Sequence, residues 1–216
     1  MSINKTYAIF GLGRYGSAVA TELVSSGADV IAIDINNDVV DNMSILLPTC
    51  KCADVTDPEV IKRLGISNID TVIIAMANRL EASVMAIMLC KEAGVDTVIV
   101  KCANEMHKKI YEKIGADKVV FPESESGVRL AKNLLSSGFI DMVDLTNNVS
   151  MIELDVKDEW VGRTLAELNL RKKYSLNVVA IRNNNAVNTS IDPNMALEKV
   201  MTLIVIADTS KLYKLK

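Results

Sequence analysis

Gly11, Gly13 and Gly16 fall in the run Tyr-Ala-Ile-Phe-Gly-Leu-Gly-Arg-Tyr-Gly, and Asp34 closes the later apolar run Asp-Val-Ile-Ala-Ile-Asp. The three glycines fit G-x-G-x-x-G. The first serves a tight turn, the second a close approach of backbone to phosphate, and the third the packing of a helix on a strand. A carboxylate ending the next strand accepts hydrogen bonds from both ribose hydroxyls of an adenosine and repels a 2′-phosphate. The chemistry is therefore the binding of an adenine nucleotide, NAD(H), ATP or ADP, in preference to NADP. Arg14 lies in the first turn of the following helix, where a cation opposes the helix dipole, and a bound phosphate is the charge that explains it.

Positioning these groups requires alternating strands and helices. Apolar runs predict strands at 6–10, 29–33, 49–53, 71–76, 97–101 and 118–121, most of them continuous enough to be covered on both faces. Amphipathic helices are expected over 14–25, 37–46, 58–64, 80–93 and 105–114. Asp57 before Pro58 reads as an N-cap and first helical position, and Gly27, Gly65, Gly94 and Gly115 close helices. Short connections between these elements imply βαβ units and a parallel sheet. After Phe121 a helix over 128–137 has no strand to return to and reads as a bridge out of the sheet. Beyond it come shorter strands, a helix over 164–169, a polar turn at 183–185 and a last strand over 201–207. The fold class is α/β: a Rossmann-like parallel-sheet domain over 1–140, including the bridge, followed by a small α+β domain over 141–216.

Half of the 216 residues are hydrophobic, which excludes global disorder, and the formal net charge is −3. No basic block interleaved with aromatics appears, so nucleic acid is not an expected partner. The longest apolar runs, such as 84–90, fall well short of the roughly 20 residues that span a bilayer, and no direct membrane insertion is expected. The opening residues lead straight into a strand, so no signal peptide is expected either. Cys50, Cys52, Cys90 and Cys102 include no C-x-x-C pair and read as reduced, buried, packing residues.

The chain resembles the RCK (regulator of potassium conductance) family, in particular the short cytosolic subunits of Ktr and Trk potassium-uptake systems. The resemblance rests on the glycine run, Ala-Ile-Asp-Ile-Asn, Cys-Ala-Asp-Val-Thr-Asp, Val-Lys-Cys-Ala-Asn, Glu-Lys-Ile-Gly-Ala-Asp-Lys-Val-Val-Phe-Pro-Glu and Leu-Asn-Leu-Arg-Lys-Lys-Tyr-Ser-Leu-Asn-Val-Val-Ala-Ile. It covers nearly the whole chain. It implies a nucleotide-binding first domain and a ligand-sensing or dimerising second one. It also implies a homo-oligomer, with dimers assembling to an octameric ring, under a membrane-embedded potassium transporter subunit of the KtrB/TrkH type. The chain would then be cytoplasmic and peripheral to the inner face of the membrane.

By this resemblance Gly11, Gly13, Arg14 and Gly16 meet the phosphates, with Arg14 toward a γ-phosphate. Asp34 meets the ribose, Asp54 the adenine edge, and Lys101 the phosphates from the end of the fifth strand. Tyr15, Ile35 and Val55 adjoin these positions and complete the cofactor-binding set. Glu123, in Pro-Glu, matches a family acid that contacts nucleotide or a divalent or sodium ion at a dimer interface. Glu125 has no such match and reads as a solvated acid at a helix start. In the second domain Leu170, Arg171, Tyr174, Val179 and Pro193 fall where relatives bind cyclic di-AMP, although Asp192 adds negative charge there. A plain dimerisation module is the other reading of this domain.

Hydride transfer needs a group that handles the substrate proton. The only histidine, His107, lies in Asn-Glu-Met-His-Lys-Lys and reads as a solvated residue on a charged helix face. No tyrosine has a lysine four positions later. A non-enzymatic, nucleotide-sensing gating subunit is therefore expected, with an NAD-dependent oxidoreductase or an NADH-sensing regulator as the alternatives.

Overall fold

A computed structural model describes residues 5–135, 139–146, 148–184, 186–208 and 210. The chain divides into two compact units, one ending at Pro122 and the other starting at Glu123. The first unit runs β1 (Thr6–Phe10), α1 (Arg14–Ser25), β2 (Asp29–Asp34), α2 (Asn37–Met43), β3 (Cys50–Cys52), α3 (Pro58–Arg63), a 3-10 turn (Ile66–Asn68), β4 (Thr71–Ile74), α4 (Leu80–Glu92), β5 (Thr97–Lys101), α5 (Glu105–Lys113) and β6 (Lys118–Val120). The six strands form one parallel sheet in the order β3-β2-β1-β4-β5-β6. The order reverses between β1 and β4, the switch point where an open α/β sheet holds its ligand.

The apolar strand runs arise because both faces are covered. Every residue of β4 is buried, and Ala8, Ile9 and Phe10 of β1 are fully enclosed. Helix α4 departs from the amphipathic expectation. It buries Ala82, Ser83, Ala86, Ile87, Leu89 and Cys90, yet Met85 and Met88 remain exposed, so it is apolar on most sides. Among the cysteines only Cys90 and Cys102 are buried, whereas Cys50 is half-buried and Cys52 exposed. These two lie on β3, an edge strand of three residues, which leaves them little cover. Burial pushes the Cys90 thiol up to about 12.

The start of the sheet is latched from the side. The Asp70 carboxylate accepts the Thr6 N–H at 2.7 Å and the Thr6 hydroxyl at 2.8 Å, and the Asp70 N–H donates to that hydroxyl oxygen at 3.1 Å. The Thr6 N–H and then the Thr6 hydroxyl hold the Asp70 carboxyl below its usual range. A depressed folded-state value contributes stability above the unfolded pKa of about 4 and loses it as pH falls through the folded value. Melting temperature should therefore drop more steeply from about pH 5 to about pH 3 in wild type than in Asp70→Asn. Equal slopes in parallel thermal melts would remove the latch from the account.

The second unit contains most of α6 (Pro122–Leu135), then β7 (Phe139–Asp144), β8 (Val149–Asp155), a 3-10 turn (Asp158–Trp160), α7 (Leu165–Leu168), α8 (Leu170–Tyr174), β9 (Leu176–Asn183), β10 (Ala186–Asn188) and β11 (Met201–Asp208). Its sheet is antiparallel, in the order β10-β9-β11-β8-β7. Trp160, Ile152, Leu154, Leu170, Leu203 and Val205 form its core.

Helix α6 starts six residues before the predicted 128. Pro122 presets its first turn and Glu123 and Glu125 favour its N-terminal dipole. Residues 136 and 137 of that prediction lie outside the described residues, as does Asn185 of the polar turn. The predicted helix over 164–169 is α7 with its caps: Thr164 and Glu167 form a capping box, and Asn169 ends it at φ +47. Helix α8 was not anticipated.

Candidate functional site

A cavity of about 240 Å³ opens at the switch point. It is lined by the glycine turn, the end of β2, the loop after β3 and the loop that leads from β4 into α4. Three backbone-level facts build it. Gly11 has φ +93, and a Cβ there would stand 2.9 Å from the Met76 Cγ. A Cβ on Gly16 would lie 1.9 Å from the Gly11 carbonyl oxygen, so α1 can pack this close to the turn only through glycine. Gly13 is different: its φ of −67 suits any residue, and no described residue stands within 4 Å of a Cβ there. Neither conformation nor packing against the described residues demands glycine at 13, so the turn is open on that side.

Asp34 fastens this turn. Its Oδ2 accepts the Leu12 N–H at 2.7 Å and its Oδ1 the Asn36 N–H at 2.9 Å. Each carboxylate oxygen keeps further acceptor capacity, the arrangement a ribose 2′,3′-diol requires. In the loop after the neighbouring strand, the Oδ1 of Asp54 accepts the Thr56 hydroxyl at 2.7 Å and the Thr56 N–H at 3.0 Å. These two donors, with help from the positive charge of Arg79, hold the Asp54 carboxyl below its usual range. Ile33, Ile35, Ala53 and Val55 supply apolar lining between the two acids.

Helix caps separate the site from the rest of the unit. Helices α2, α3 and α5 each have a side-chain cap, from Asn36, Asp57 and Asn104. Helices α1 and α4 have none. The N-cap residue of each, Gly13 and Arg79, lines the cavity. The first amides of a helix need acceptors, and an anion can supply them.

Of the residues expected from sequence, Gly11, Gly13, Asp34, Ile35, Asp54 and Val55 meet in the cavity wall. Gly16 is buried behind the turn, while Arg14 and Tyr15 follow it in the first turn of α1, with Arg14 exposed. The Lys101 ammonium lies 5.5 Å from the centre of the Tyr15 ring. Glu123 opens α6 in the second unit. Among the described residues, no three His, Cys, Asp or Glu side chains gather as metal ligands. His107 is not the solvated residue expected. It is half-buried, 6.0 Å from the Tyr111 ring, with Nδ1 enclosed and unbonded, because positions 107 and 111 share the inward face of α5.

The second-unit residues divide by burial. Leu170, 3% exposed, is part of the core, and the half-buried Tyr174 tilts over Trp160 at 6.2 Å. Val179 is half-buried on β9, and Arg171 and Pro193 are exposed. Sequence reasoning missed Thr56, Asn78 and Arg79. The β4–α4 loop carries no motif, and only the pairing of β4 with β1 brings it to the glycine turn.

The TrkA-N domain family matches residues 7–122 and the TrkA-C domain family residues 149–216. The Ktr system potassium uptake protein C of Bacillus subtilis (strain 168) is 35% identical over 208 residues, covering 96% of this chain and 94% of that protein. The chain belongs to the RCK-type family of Trk and Ktr potassium-uptake proteins. Among solved structures it is similar to the GsuK RCK domain, with a TM-score of 0.70 at 16% identity over 98% of this chain and 46% of that one. The GsuK channel bound to NAD gives a TM-score of 0.68 at 16% identity, over 98% of this chain and 38% of that one. The chain thus spans less than half of each GsuK chain but nearly all of its Bacillus relative. Among the described residues no helix is long and apolar enough to cross a membrane.

Proposed function

We propose that the chain is the regulatory, gating subunit of a potassium-uptake system and that its first unit senses an adenine nucleotide. The observation that carries this reading is the glycine turn tethered by Asp34, with Gly13 left open at an uncapped helix start. ATP and ADP are one class of occupant, and the NAD bound by the GsuK channel supports NAD(H) as another. Among the described residues the cavity wall carries two carboxylates and one guanidinium but no histidine, cysteine, tyrosine or lysine to handle a substrate proton, which favours a switch over an oxidoreductase.

A switch requires only differential binding. If ATP reaches Arg14 with its terminal phosphate and ADP does not, one or two charge-assisted hydrogen bonds worth about 2.8 kcal/mol shift a two-state equilibrium about a hundredfold. The ring would be a homo-oligomer, dimers joining to an octamer. It would sit at the cytoplasmic face of the membrane on an embedded subunit of the KtrB/TrkH type. In the second unit the exposed Arg171 and half-buried Tyr174 are the side chains we assign to a cyclic di-AMP contact.

Thermal-shift titration tests the first unit. ATP, ADP and NADH should each raise the melting temperature, and Arg14→Ala should weaken ATP by about tenfold more than NAD. Equal weakening of both removes Arg14 from the terminal phosphate. Turnover of NADH with a small carbonyl substrate would replace the switch by an enzyme.

A further inference from the structure

Among the described residues, Arg79 is the one cationic side chain in the cavity wall, and no motif accounts for it. It stands at the start of α4, which has 13 residues and no side-chain cap, and its own N–H is spent on the Met76 carbonyl at 2.8 Å. Its side chain is exposed and makes no ion pair with a described residue, yet its charge helps to hold down the carboxyl of Asp54, which lines the same cavity. The wall otherwise presents two carboxylates, Asp34 and Asp54. Two acids suit a ribose and the edge of a neutral base, but they repel a phosphate chain. Some cation must offset that repulsion, and it must lie where the chain passes.

The chain's path is bounded by the two helix starts without side-chain caps, Gly13 on one side and Arg79 on the other. We propose that Arg79 is a specificity-determining residue: its guanidinium pairs with the phosphate chain of the bound adenine nucleotide and makes the cavity select by phosphate charge. This rests on the nucleotide-sensing reading above and adds the group that sets which nucleotides are admitted. A planar guanidinium offers a fork of donors to phosphate oxygens that a lysine ammonium does not reproduce.

The test is calorimetric titration of the full chain, as wild type, Arg79→Ala and Arg79→Lys, with ADP, AMP and adenosine at low and moderate salt. Arg79→Ala should weaken ADP by about tenfold or more, AMP by less, and adenosine not at all, with unchanged melting in the absence of ligand. Arg79→Lys should recover part of the ADP affinity. The ADP affinity of Arg79→Ala should also depend less on salt than that of wild type. Equal losses for ADP and adenosine would overturn the proposal, because the side chain would then act on the base or on the fold. Unchanged ADP binding in Arg79→Ala would overturn it while leaving the nucleotide-sensing reading intact. A wild-type chain that binds none of the three ligands overturns both.

Discussion

Replacing Gly13 by valine is expected to weaken adenine-nucleotide binding strongly while leaving the fold standing. The backbone at 13 has φ −67 and ψ −176, an extended conformation open to valine, and a Cβ there meets no described residue within 4 Å. Losing glycine as the N-cap of α1 costs at most about 1 kcal/mol, or about 2–4 °C in a chain of this size. The new side chain instead fills the space into which a phosphate must come. Overlap of one branched side chain costs about 1–3 kcal/mol, which weakens binding by about five- to more than a hundredfold. Calorimetric titration with ADP and a thermal melt of the same preparation separate the two quantities. Retained affinity would mean that no phosphate approaches Gly13, and the glycine turn would lose its role.

Gly16→Ala should do the reverse, lowering stability first and binding only as a consequence. In an exposed helix interior this substitution gains about 1 kcal/mol, because alanine is the better helix former. Here the sign changes. The added Cβ would stand 1.9 Å from the Gly11 carbonyl oxygen and 3.1 Å from the Ala75 Cβ, so α1 must move off the turn. Neither neighbour is the flexible end of a long side chain. We expect a loss of about 3 kcal/mol or more, read as a fall of about 6–12 °C in the melting of the first unit by scanning calorimetry. A neutral or stabilising alanine would show that α1 does not pack against the glycine turn as described. The opposite outcomes at 13 and 16, three residues apart, distinguish a glycine kept for a ligand from one kept for packing.

Much of the site was legible because its parts are local. The glycine spacing and Asp34 at the end of an apolar run were each readable within a few residues, whereas Asp54 came only with the family resemblance. The side of the cavity built by the β4–α4 loop was not. Asn78 and Arg79 follow β4, and nothing in their own stretch announces a ligand. They reach the site because β4 lies next to β1, with Ile73 opposite Ile9 and Ile74 opposite Phe10. Thr56 was missed for a related reason, since its contribution is to lock Asp54 through two hydrogen bonds. His107 misled in the other direction. Its lysine neighbours gave it the look of a charged surface, while the turn of the helix carries it inward to Tyr111.

The amino-acid order by itself determined the six alternating strands and helices, the glycine turn and the acid that partners it, because periodicity and turn chemistry act over a few residues. Tertiary structure alone decided which loops face each other across the cavity, that α1 and α4 start there without side-chain caps, and that Gly13 is open where Gly16 is closed. Those properties depend on strand order and on distances between atoms far apart in the chain, and no short-range rule carries that information.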